Sequence, residues 1–78
     1  MTLDPHDIAH EFPTQSDKIH ALKVGNAHFH KLAERYETVN KEVVQIEEGV
    51  RVADDAYLET LKKERLHLKD QIAAVLAA

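Results

Sequence analysis

The sequence has no cysteine. Disulfides, thiolate metal sites and cysteine nucleophiles are therefore excluded, and a reducing compartment suits the chain. Only two glycines and two prolines occur, which is little punctuation for a many-stranded sheet. No apolar run approaches the ~18 residues of a membrane span. Asp4, His6 and Asp7 come early, without a hydrophobic run, so no signal peptide is expected. Ser16 is the lone serine and lacks the setting of a nucleophile elbow. There is no Gly-rich phosphate loop and no His-Glu-x-x-His pattern. A basic face is missing too. The formal net charge is −4, which weighs against a protein that tracks a nucleic-acid backbone. These absences point to a cytoplasmic protein of bacterial type that is not an enzyme and carries no cofactor.

What is present is heptad spacing. Apolar residues fall at Phe29, Leu32, Tyr36, Val39, Val43, Ile46 and Val50, in alternating steps of three and four. That is the seam of a left-handed coiled coil. Leu58, Leu61, Arg65, Leu68, Ile72 and Val75 repeat it. An antiparallel pairing gives every layer the same index sum. Phe29 then meets Val75, Leu32 meets Ile72, Tyr36 meets Leu68, Val39 meets Arg65, Val43 meets Leu61 and Ile46 meets Leu58. The fold class is all-α: an antiparallel, coiled-coil-like helical hairpin preceded by one or two short N-terminal helices. Arg65 is the one charge on the seam. Either its stem packs while the guanidinium reaches solvent or a nearby Glu, or it is a polar device that fixes register or oligomeric state.

Local signals set the boundaries. Asp4 and Pro5 open a first helix, which Pro13 stops. Thr14 or Ser16 caps a second helix through Lys23, with Asp17 in its first turn. Gly25 fits a left-handed position after that helix, and Asn26 caps the next. A single helix running through Gly25, at a cost of about 1 kcal/mol, is the alternative. Gly49 closes the first long helix near Glu48, and Val50 to Ala53 form the loop. Asp54 caps the last helix, with Asp55 in its first turn. The chain thus reads as one domain: a short helical segment over 1–25, a first long helix over 26–49 and a second over 54–77.

Some apolar residues fall outside the seam. Leu66, Ala73 and Leu76 make a second stripe on the last helix, and Val44 lies off the seam of the first long one. With Phe12 they form the expected interaction surface. Either the N-terminal segment folds back on them with Ile8, Phe12, Ile19 and Leu22, or a second chain covers them. The favoured function is a protein–protein interaction or self-association module, whose partners are a second copy of the chain and other proteins, with no role at a membrane.

Six histidines offer a second reading, a metal or small-ligand binder. His6 and His10 are four apart and share a helical face, which is half a metal site whose third ligand must come from elsewhere. His28 and His30 face different ways, and His20 and His67 stand alone; as solvated residues they make the surface charge sensitive to pH. The weakest reading is RNA binding through Lys62, Lys63, Arg65 and Lys69. Glu59, Glu64 and Asp70 are interleaved with these, and Glu59 is spaced to pair with Lys62 or Lys63, so a solvated face is the simpler account.

His10-Glu11-Phe12-Pro13, the run from Asp17 to Lys23 and Ala27-His28-Phe29 resemble the small YdcH-like bacterial proteins, a domain-of-unknown-function family. The stretch from Leu58 to Leu66, with Leu68-Lys69-Asp70, is similar to that family's C-terminal half. The resemblance implies a short helical hairpin with coiled-coil character. It carries over no catalytic residue. The Ala-rich tail departs from the pattern, which leads one to expect an aromatic near Ala73.

Overall fold

The computed structural model describes residues 8–78, and their side chains apart from those of Ala9 and His10. Four helices follow in order: α1 (Ile8–Glu11), α2 (Ser16–Gly25), α3 (Ala27–Glu47) and α4 (Asp55–Ala77). α3 and α4 form the hairpin, and α1 and α2 pack on α3. The expected helix start at Asp4 and Pro5 lies outside the described residues.

The N-terminal boundaries follow Pro13. α1 ends at Glu11, and the Gln15 amide donates to the Phe12 carbonyl across the Pro13-Thr14 turn at 3.1 Å. Gln15 occupies the N-cap of α2, with no side-chain cap bond. The cap expected from Thr14 or Ser16 is therefore absent, and Ser16 is the first residue of the helix. Its successor Asp17 lies in the first turn, as expected.

Gly25 is not in the left-handed region, contrary to expectation; among the described residues Gly49 alone has that glycine geometry. α2 instead runs through Gly25, and the break falls at Asn26, whose φ of −134° and ψ of 108° are extended. One residue does two jobs there. The Asn26 amide donates to the Leu22 carbonyl at 2.9 Å, ending α2. Its Oδ1 accepts from the Phe29 amide at 3.0 Å, capping α3.

Gly49 takes φ +79° at the end of α3. The Gly49 amide donates to the Ile46 carbonyl at 3.1 Å and the Val50 amide to the Gln45 carbonyl at 2.9 Å. This pair of bonds is a Schellman motif, and it needs a residue that tolerates positive φ. Asp54 Oδ1 accepts from the Tyr57 amide at 2.7 Å and starts α4.

The seam is the core. Phe29, Tyr36, Val39, Val43 and Ile72 are fully enclosed, and Leu32, Leu61 and Leu68 are buried. Ile46, Leu58 and Val75 pack against them as half-buried neighbours. Val50 departs from its place in the heptad run: α3 has ended by then, and Val50 is exposed at the tip. Ile8 and Ile19 are buried in the same cluster, with Phe12 and Leu22 packed against it. Ala33, off the seam, is enclosed as well. The N-terminal segment therefore folds back on its own hairpin.

Cross-helix polar pairs flank the seam and agree with the antiparallel order. Arg35 Nη2 lies 2.7 Å from Glu64 Oε2, and Lys62 Nζ lies 3.4 Å from Glu47 Oε2. Lys62 thus pairs across the hairpin rather than with Glu59 on its own helix. Arg65 donates from Nη1 to Asn40 Oδ1 at 2.9 Å. Its guanidinium thus reaches a side-chain amide on α3, and the residue is half-buried.

Candidate functional site

The side chains of the expected interaction surface do not share one environment. Leu76 is 3% exposed and belongs to the core. It is a correction to the expected surface, because the N-terminal segment covers that end of α4: Lys18 donates to the Leu76 carbonyl, and Lys69 Nζ lies 2.6 Å from Glu11 Oε2. Phe12 is half-buried against the core, and Ala73 is half-buried. Leu66 is 60% exposed, and Val44 is half-buried. The stripe is therefore split. Its C-terminal end is covered from within the chain, while Leu66 and Val44 still face outward.

Two shallow hollows adjoin these residues. One is lined by Tyr36, Asn40, Lys41, Val44, Gln45 and Glu48 among others. The second lies between Glu11, Tyr36, Arg65 and Leu66, with Lys62 and Lys69 at its edge. Tyr36 lines both. Neither is enclosed in the way that chemistry with water excluded would need.

The charged side chains around them are mostly engaged. Lys69 pairs with Glu11, Lys62 with Glu47 and Arg65 with Asn40. Three of the four cations in the basic stretch are thus occupied within the chain, which leaves little free positive charge for phosphates. His30 pairs with Glu34 one turn on, while His20, His28 and His67 are exposed. No group of three His, Cys, Asp or Glu able to hold a metal occurs among the described residues. His6 and the His10 side chain lie outside them.

The hairpin tip is the feature that heptad counting misses. Val50 is 74% and Val52 98% exposed, and Tyr57 is exposed as well. Glu42 clamps this loop. Its Oε2 accepts from the Tyr57 hydroxyl and lies 3.2 Å from Arg51 Nη1. The hydrogen bond to Glu42 holds the Tyr57 phenol above its ordinary pKa, reinforced by the carboxylate's charge and opposed by Arg51. The signal was available in the two valines flanking Arg51 just after Gly49. Asn40 was missed as well: it is 4% exposed, yet a lone Asn beside a seam position reads as solvent-facing.

No helix of the described residues is long and apolar enough to cross a membrane. The family model described as "Protein of unknown function (DUF465)" matches residues 29–76. The chain belongs to that family, and the YdcH-like resemblance of its motifs fits it. The matched stretch takes in nearly all of α3 and α4 and leaves α1 and α2 outside. Comparisons with curated proteins and with solved structures gave no significant match.

Proposed function

We propose that the protein is a non-enzymatic helical-hairpin module of the cytoplasm that acts by packing against other helices, a second copy of itself first among them. The observation that supports this reading is the outward-facing apolar set on the hairpin. Leu66 remains 60% exposed and Val44 half-buried after the N-terminal segment has folded back. Among the described residues α1 and α2 cover apolar surface on the core side and leave this set outward. Affinity is expected to come from side-chain packing, with the surrounding charges setting orientation. Sedimentation equilibrium over a wide concentration range, paired with crosslinking and affinity capture in the native host, tests it. The module is expected to self-associate or to retain a defined helical partner through this set, with Leu66→Glu weakening the complex. A strictly monomeric protein that retains nothing would overturn the proposal.

A further inference from the structure

Lys41 on α3 and Glu48, the residue that caps its C-terminus, lie on one side about two helical turns apart, with Val44 and Gln45 between them. Both side chains are exposed. Neither joins an ion pair or side-chain hydrogen bond among the described residues. Their neighbours on α3 behave differently. Glu37 pairs with Lys23, Glu42 with Arg51, and Glu47 with Lys62. A cation and an anion are thus left over at the rim of the hollow that Tyr36, Asn40 and Val44 line.

The order along this face is positive, apolar, polar, negative. Under an antiparallel two-fold axis passing between Val44 and Gln45, that order is its own complement. Lys41 of one copy falls opposite Glu48 of the other, and Glu48 opposite Lys41. Val44 falls opposite Gln45 on both sides. A two-fold contact repeats every pair, so one complementary pair becomes two.

We propose that two copies of this chain meet through this flank of α3, antiparallel about Val44 and Gln45, with Lys41 of each paired to Glu48 of the other. The inference rests on the self-association proposed above and gives it a surface and an orientation. The net charge of −4 makes two copies repel at long range, so a second copy needs a locally complementary face of this kind to settle on. The same pairs make the contact sensitive to salt.

Charge reversal tests it. Lys41→Glu places two anions opposite each other at both contacts, and Glu48→Lys places two cations there. Each variant alone is expected to self-associate about tenfold more weakly than the wild type, or worse. Mixed in equal amounts, the two variants oppose unlike charges at both contacts, and the mixed dimer is expected to recover wild-type affinity. Sedimentation equilibrium with one variant labelled reads all three cases, and circular dichroism confirms that helicity is unchanged. If the wild type self-associates while both variants match it, or if the mixture is no tighter than its components, this face is wrong and the interaction reading stands. If the wild type is monomeric throughout, the pairing of copies falls as a whole, and only a different partner could sustain the interaction reading.

Discussion

At the scale of single residues, the pair that matters most is Arg65 with Asn40. Arg65 holds a seam position in which every other side chain is apolar, and Asn40 is 4% exposed. Their 2.9 Å hydrogen bond crosses the hairpin. A buried acceptor that loses its donor costs about 1–3 kcal/mol, whereas replacing both partners by apolar groups is often neutral or stabilising. Arg65→Leu alone is therefore expected to destabilise the chain, despite completing the apolar seam. The double variant Asn40→Leu with Arg65→Leu is expected to cost less than the sum of the two single variants. Urea denaturation of the two single variants and the double gives the coupling; additivity within about 0.3–0.5 kcal/mol would mean the pair acts as two unrelated residues. The two leucines of the split stripe make a second contrast. Leu76 is enclosed and Leu66 is not. Leu76→Ala is expected to cost about 2–5 kcal/mol, and Leu66→Ala less than about 0.5 kcal/mol at dilutions where the chain is alone. Equal costs would contradict the burial pattern.

At the scale of elements, the hairpin was legible in the sequence because two independent heptad runs agree on one register. Seam residues from Phe29 to Val75 are buried or half-buried, Val50 excepted. Gly49 and Asp54 were legible because a positive φ and an N-cap each demand a particular residue type. The N-terminal segment was harder to read. Asn26 ends one helix and caps the next, so the glycine beside it looked like the stop signal when it was still helical. The split of the Leu66–Ala73–Leu76 stripe could not be read at all, because periodicity gives a face and not what covers it. Two tests belong here. Gly49→Ala forces a Cβ into the left-handed region, where nothing crowds it. The expected cost, about 1–2 kcal/mol in a denaturant melt, is therefore conformational. No loss would mean that the loop can reform without the Schellman bonds. For the register, cysteines introduced by Leu32→Cys and Ile72→Cys are expected to join within one chain on oxidation, and Leu32→Cys with Leu58→Cys is not. The reverse result would overturn the antiparallel pairing.

At the scale of the whole molecule, the two ends of the hairpin differ in thickness. One end carries a third layer, in which Ile8 and Ile19 join Phe29, Ala33 and Ile72 in the core. At the tip end α3 and α4 stand without α1 and α2, with Val50 and Val52 exposed, while Leu66 is exposed midway along α4. A chain of this size buries only around 60% of the surface its unfolded form exposes, so its margin of stability is thin. Anything that binds the folded form alone then adds to that margin by mass action, by about 2.7 kcal/mol at a hundredfold excess over Kd. A second copy is such a ligand, and its concentration is that of the protein itself. The melting temperature is therefore expected to rise with protein concentration, by several degrees over a hundredfold range. Leu66→Glu is expected to flatten that dependence while leaving the melting temperature at the dilute limit nearly unchanged, since this side chain is largely in water when the chain is alone. The two limits separate folding from association. A melting temperature that falls equally at every concentration would place Leu66 in the fold. One that never varies with concentration, even in the wild type, would mean that the layer of α1 and α2 completes the core unaided and that the tip end is stable as two helices.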